Sequence, residues 1–279
     1  MCESNNKLEN NNFNSVEKCS DIESEKISTL EKSIYQLADM IKNAKKAVFL
    51  GGAGVSTESG IPDFRSENGL YSAKQIYGYS PEQLLSYSFF ERKPELFFKY
   101  YKENLIALDA KPNKAHFALA ELEKRNILKA VITQNIDGLH QMAGSENVLE
   151  LHGSNFRQYC MVCHKKYPLE YVLSDENSKK GVPRCEVCGG IVRPDVVMYE
   201  EALDSEIISK SINAIANADL MIVGGTSLCV YPAAGLIDYF RGENLVLINK
   251  SKTSYDEQAD LIISQPIGET LSKVLEIIK

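Results

Sequence analysis

The chain has 279 residues, 44% hydrophobic and 25% charged, which suits a globular protein of one large domain, or of one large and one small. A formal net charge of −7 argues against general nucleic-acid affinity, while a basic protein tail is not repelled. No apolar run approaches the ~18 residues of a membrane span, and the polar start Met1-Cys2-Glu3-Ser4-Asn5-Asn6 lacks the apolar core of a signal peptide or lipoprotein leader, so a cytoplasmic, membrane-free protein is expected.

Residues 1–26, rich in Asn, Glu, Ser and Lys, read as a disordered tail. Ile27, Leu30, Ile34, Leu37 and Ile41 then step by three and four residues, the period of an amphipathic helix. Ala47-Val48-Phe49-Leu50 reads as a buried strand running into Gly51-Gly52-Ala53-Gly54, and glycines after a strand bring backbone N–H groups up to a phosphate. A dehydrogenase fingerprint would place a third glycine three residues after Gly54, but here it is displaced to Gly60. The stretch ends in Asp63-Phe64-Arg65, an acid, a flat ring and a guanidinium suited to gripping pyrophosphate or carboxamide. A dinucleotide loop that also handles the nicotinamide end fits this pattern. The competing reading is a glycine-rich turn with a solvent salt bridge.

Residues 67–111 carry Tyr71, Tyr77, Tyr79, Tyr87, Phe89, Phe90, Phe97, Phe98, Tyr100 and Tyr101, read as helical material packing a satellite core. Beyond Pro112 helices and strands alternate: a helix over Ala115–Lys124, strands over Ile127–Thr133, Val148–Leu151, Ala218–Gly224, Leu245–Ile248 and Leu261–Ser264, and a closing helix over Ile267–Ile278. Polar residues recur past the strand ends: Gln134-Asn135-Ile136-Asp137, His152, Thr226-Ser227 and Asn249. Open α/β sheets bind ligands at such ends, and their number points to one long ligand lying across the sheet.

Cys160-x-x-Cys163 and Cys185-x-x-Cys188 have knuckle spacing for a four-thiolate zinc site. Four protein ligands leave no open position, so the zinc is structural, and His164 is expected to stay exposed. Cys2, Cys19 and Cys229 are left as unreactive thiols.

Gly52-Ala53-Gly54-Val55-Ser56, Gly60-Ile61-Pro62-Asp63-Phe64-Arg65, Thr133-Gln134-Asn135-Ile136-Asp137-Gly138-Leu139-His140, Leu151-His152-Gly153, the cysteine pairs, Gly225-Thr226-Ser227 and Ile248-Asn249 together resemble, in order, the blocks of the sirtuins, NAD-dependent protein lysine deacylases. The resemblance covers residues 30–279 and implies a Rossmann-like parallel sheet over 27–66, 112–155 and 193–279. The smaller domain would combine a helical insertion (67–111), including a mobile cofactor loop near Ser66–Ser80, with a zinc ribbon (156–192). It further implies NAD as co-substrate, contacted through Ala53, Gly54, Thr57, Phe64 and Arg65. Gln134 and Asn135 would orient the ribose, Ile136 and Asp137 would receive nicotinamide, and Thr226, Ser227 and Asn249 would hold the adenosine half, with Ile267 a further cofactor contact. His152 matches the family's general base, and Asn135 is carried over as catalytic with it. An acetyl-lysine protein or peptide would lie across Val196-Val197-Met198-Tyr199, with Val197 and Tyr199 lining the lysine tunnel. Glu200 departs from the family, where glycine commonly precedes the glutamate matched by Glu201. The Tyr-x-x-Arg pair of sirtuins that remove acidic acyl groups is also missing: Tyr100 is followed three residues on by Glu103, and Tyr101 by Asn104. Rival expectations are a mono-ADP-ribosyltransferase and an inactive NAD- or ADP-ribose-binding module.

Overall fold

The structure, a computed structural model, describes residues 28–63 and 76–279. Its strands in chain order are β1 (Ala47–Gly51), β2 (Leu128–Thr133), β3 (Val148–Glu150), β4 (Gly153–Cys160), β5 (Lys166–Tyr167) and β6 (Ser178–Lys179). They continue with β7 (Val182–Pro183), β8 (Val192–Val196), β9 (Leu220–Gly224), β10 (Asn244–Ile248) and β11 (Leu261–Ile263). Six of them form one parallel sheet in the order β11-β10-β9-β1-β2-β3. The chain winds outward from β1 in both directions, so the order reverses between β1 and β9.

The longer helices are α1 (28–43), α2 (Tyr87–Arg92), α3 (Pro94–Asn104), α4 (Lys114–Lys124), α5 (Ser205–Ala216) and α6 (Ile267–Ile277). Strand alternation sorts the apolar side chains between two helical layers. Ala47 and Phe49 point to the layer of α1, α4 and α6, against Leu37, Ile41, Leu119 and Leu271. Val48 and Leu50 point to the other layer, against Ile215 of α5 and the turn Ala233–Tyr239. Every residue of β1 is buried, which is why it reads as a continuous apolar run.

The aromatic stretch does pack a core of its own, and the structure shows what shares it. Phe90, Phe97, Phe98, Tyr100 and Tyr101 are each at most 1% exposed and cluster with Cys160, Tyr167, Cys185 and Val192. Phe97 meets Phe90 and Phe98 edge-on, with centroids 5.0 and 5.3 Å apart. The helical insertion and the cysteine-bearing segment therefore form one smaller body. Its backbone scaffold is the antiparallel sheet β5-β4-β8.

Helix α5 was not among the expected elements, although Asp204 caps it by accepting from Glu206 N and Ile207 N, each at 2.9 Å, and its isoleucines recur at helical spacing. The chain after β1 makes two 3₁₀ turns, Ala53–Val55 and Thr57–Ser59, where a dehydrogenase fingerprint would open a helix. Gly60 closes the second at φ 82°, a left-handed position suited to glycine, and this accounts for the displaced third glycine. Phe64, Arg65 and most of the expected mobile loop lie outside the described residues. Among the described residues no helix is long and apolar enough to cross a membrane.

Candidate functional site

Sheet register puts the carboxyl ends of all six strands level. Glu150 pairs with Thr133, Thr133 with Gly51, Gly51 with Gly224, Gly224 with Ile248 and Ile248 with Ile263. At ~4.8 Å per strand that row is about 24 Å long. The loops leaving it carry most of the expected cofactor residues, and the crevice where strand order reverses is where such sheets bind ligands.

Two loops meet over that crevice. Gly54 N donates to Gly225 O at 2.8 Å, and a Cβ on Gly54 would lie 2.7 Å from Gly225 Cα. A Cβ on Gly52 would lie 2.8 Å from Thr226 Cβ. Bare backbone at both positions is thus a requirement of the loop-to-loop contact, which sets the Gly52–Gly54 turn at the crevice where a dinucleotide would fit. Ala53 sits within this turn, and Thr57 Oγ1 braces it by donating to Gly54 O at 2.9 Å. On the far side Thr226 Oγ1 accepts from Gln134 Nε2 (3.1 Å) and Leu228 N (3.2 Å), and Asn249 Nδ2 donates to Thr226 O (3.0 Å). Gln134, Thr226 and Asn249 are thereby brought together, with Ser227 exposed beside them. Ile267 is 3% exposed, with its side chain in the core and its backbone at the first position of α6.

Asn135 and Asp137 are joined by a residue for which the sequence suggested no role. Ser56 Oγ donates to Asp137 Oδ2 at 2.6 Å and accepts from Asn135 Nδ2 at 3.0 Å. Leu139 N donates to Asp137 Oδ1 at 3.0 Å. The Asp137 carboxylate is held in one orientation with lone pairs to spare. Ile136 O accepts from Asn155 N at 2.9 Å, fixing this loop against β4.

His152 lies just past β3 and is partly buried. Its Nδ1 is 2.9 Å from Gln134 O, and a carbonyl only accepts, so Nδ1 carries the hydrogen and Nε2 keeps its lone pair. Burial pulls the His152 pKa below its ordinary value, against a smaller upward pull from the Gln134 carbonyl. The imidazole is therefore neutral at neutral pH. Gly153 follows at φ 77°, and a Cβ there would lie 1.9 Å from Asp195 O. That close approach seats His152 against β8: Val197 N donates to His152 O at 3.0 Å. Tyr199, 37% exposed, continues the same edge.

The four cysteines gather in the smaller body. Their sulfurs lie within 4.8 Å of one another, with Cys160–Cys188 at 3.4 Å and Cys163–Cys185 at 3.6 Å. A tetrahedral zinc with ~2.3 Å bonds needs sulfurs ~3.8 Å apart, so the thiolate set fits that ion and leaves it no open position. His164 is exposed and outside the cluster, as expected.

A model of the Sir2 family matches residues 52–232. The chain belongs to the Sir2 family. It is 59% identical over 248 residues to the NAD-dependent protein deacetylase of Clostridium perfringens (strain 13 / Type A), covering 88% of this chain and 100% of that protein. The NAD-dependent protein deacetylase of Clostridium acetobutylicum is 58% identical over 242 residues, covering 87% of this chain and 98% of that protein. A solved Sir2 structure with a deacetylated p53 peptide and 3′-O-acetyl ADP ribose superposes with a TM-score of 0.81 at 40% identity, covering 88% of this chain and 98% of that one. A Sir2 structure with a p53 peptide and NAD+ superposes at 0.78, also 40% identical, covering 87% of this chain and 97% of that one.

Within this Sir2 chain a second group escaped sequence reasoning, beneath the Val197–Tyr199 edge. Arg193, 3% exposed at its side chain, pairs in two-pronged fashion with Glu201 at 2.7 and 2.9 Å, and also donates to Val196 O at 2.7 Å. Glu201 Oε2 accepts from Met198 N at 2.8 Å. The guanidinium lies over Phe90 and Tyr159, 5.6 and 5.8 Å from their centroids. The signal for this clamp was the Arg193…Glu201 spacing, but nothing local shows that the two face each other.

Proposed function

We propose that the protein removes acetyl groups from protein lysines in an NAD-dependent reaction, yielding free lysine, nicotinamide and O-acetyl-ADP-ribose. The observation that carries this reading is the bond from Val197 N to His152 O, which sets the segment Val197–Tyr199 directly beside a neutral imidazole whose Nε2 keeps its lone pair. When bound, NAD supplies the ADP-ribosyl acceptor for the acetyl group and nicotinamide as leaving group. Gly52, Ala53 and Gly54 cradle the pyrophosphate with Thr57, and Phe64 and Arg65 belong to the same stretch. Thr226, Ser227 and Asn249 hold the adenosine half, and Gln134 and Asn135 orient the ribose near nicotinamide. Ile136 and Asp137 receive the carboxamide, with Asp137 aimed by Ser56. His152 Nε2 takes a proton from a ribose hydroxyl as general base.

The acetyl-lysine peptide adds as a strand along Val197–Tyr199, so main-chain bonds carry affinity and sequence selectivity stays loose. Val197 and Tyr199 flank the acyl-lysine. The zinc at Cys160, Cys163, Cys185 and Cys188 is structural, tying β4 to the aromatic core. A reducing compartment keeps such thiolates available, which supports a cytoplasmic location.

The test is mass spectrometry of acetylated peptides incubated with NAD and the zinc-loaded protein. Loss of acetyl, with nicotinamide release that depends on the peptide, is expected. Peptide-independent release with ADP-ribose transferred to protein would select the ADP-ribosyltransferase reading instead.

A further inference from the structure

Glu200 stands at φ 77°, in the left-handed region that disfavours any side chain with a Cβ and that glycine adopts freely. Its side chain is engaged nonetheless. One carboxylate oxygen accepts from Ser88 N at 2.9 Å and the other from Ser88 Oγ at 3.0 Å. Ser88 lies in the first turn of α2, where backbone N–H groups lack helical partners. Arg92 Nη2 donates to Ser88 Oγ at 3.3 Å, leaving that hydroxyl hydrogen for Glu200.

The residue before Glu200 is stitched to the same region. Tyr199 N donates to Leu85 O and Tyr87 N donates to Tyr199 O, both at 3.0 Å. Two residues earlier, Val197 is bonded to His152. One backbone path thus runs from the imidazole through Val197 and Tyr199 to the start of α2, and Glu200 makes its last link. The buried Arg193–Glu201 clamp holds this path from below, while Glu200 holds it from the side.

We propose that Glu200 is a positioning residue for the acyl-peptide substrate: its cap on α2 locks the Tyr199 backbone in the geometry that a peptide strand needs. The proposal rests on the reading of Val197–Tyr199 as the peptide-docking edge. Free glycine-like flexibility at this position is given up for a preset edge, so the ordering cost falls on folding and not on peptide binding.

Steady-state kinetics on one acetylated peptide, with the zinc-loaded full chain, test it. Loss of a helix cap is worth about fivefold, so Glu200→Ala should raise peptide KM by about that factor, leaving kcat and NAD KM unchanged. Glu200→Gln should keep peptide KM low, because its amide accepts from Ser88 N and donates to Ser88 Oγ. Glu200→Gly relieves the left-handed backbone and should fold at least as well, yet peptide KM should stay raised. Wild-type peptide KM in both Glu200→Ala and Glu200→Gly overturns the proposal. Val197→Asp is the control for the docking edge. If it raises peptide KM while the Glu200 variants do not, Glu200 alone has been misread. If it leaves peptide KM unchanged, the docking edge itself lies elsewhere and the proposal falls with it.

Discussion

Two histidines buried behind the loop Gln134–Asp137 should make this protein sensitive to mild acid. His140 is 1% exposed, its ring centroid 4.7 Å from that of His116 and 6.3 Å from that of Phe49. Among the described residues neither of its ring nitrogens has a hydrogen-bond partner. Burial, reinforced by His116, pulls its pKa down to about 3. Burial pulls that of His116 down to about 4, against an upward pull from Asp137. Both rings therefore stay neutral in the folded state while the unfolded chain protonates below 6.5. Stability from these two groups is present above that value and is lost as pH falls, the loss levelling off only below the folded pKa values. At about pH 5 each contributes a loss of about 2 kcal/mol, from about 1.5 units at ~1.4 kcal/mol per unit. His140→Leu removes one of them and also removes two unpartnered polar atoms from the core. Urea unfolding of the zinc-loaded protein at about pH 7.5 and about pH 5 is the assay. Wild type and variant share the acid sensitivity of the thiolate site, so their difference isolates the histidine. The variant should lose about 2 kcal/mol less than wild type between the two conditions. An identical loss would refute the argument that His140 is held neutral by burial.

Four further outcomes are expected. His152→Ala should bind NAD normally but turn over ~10²–10⁴-fold more slowly, as measured by calorimetry and by acetyl removal. Because burial lowers the His152 pKa, the acid limb of wild-type kcat/KM should fall below the ordinary histidine value of 6.5, and a midpoint above it would contradict the neutral-imidazole assignment. Cys185→Ser should yield poorly soluble protein with far less than one zinc per chain by elemental analysis, because the thiolate cluster sits inside the aromatic core. Acetylated peptide should be processed with a higher kcat/KM than its succinylated counterpart, by orders of magnitude. Glu103 accepts from the Tyr77 hydroxyl, Asn104 donates to it at 2.9 Å, and Lys102 pairs outward with Asp175 at 3.6 Å, so none of the three offers a cation to a buried acyl carboxylate. Equal rates on the two peptides would show that a cation reaches the tunnel from elsewhere.

Much of this molecule was legible along the chain. The β-strands of the large sheet, apart from shifts of one or two residues at their ends, follow from apolar runs closed by polar or glycine residues. The thiolate spacing announced the metal cluster, and the order of the blocks from Gly52 to Asn249 announced the family. These are local signals: each depends on residues within a few positions of one another, and backbone geometry converts them directly into strand ends, turns and ligand pairs.

What only the tertiary structure decided are the contacts between residues far apart in the chain. Ser56 and Asp137, 81 residues apart, meet because β1 and β2 pair in a register that levels Gly51 with Thr133. Ser88 and Glu200, 112 residues apart, meet because an antiparallel strand returns beside the helical insertion. The bareness required at Gly52 and Gly54 comes from Thr226 and Gly225 in the loop after β9. His116 and His140 owe their neutrality to a core assembled from both. Sheet register and helix docking set these distances, and a difference of one residue in register would turn each side chain to the opposite face. Local sequence names the groups available for chemistry, but which of them touch is decided by long-range pairing that buries the apolar faces together.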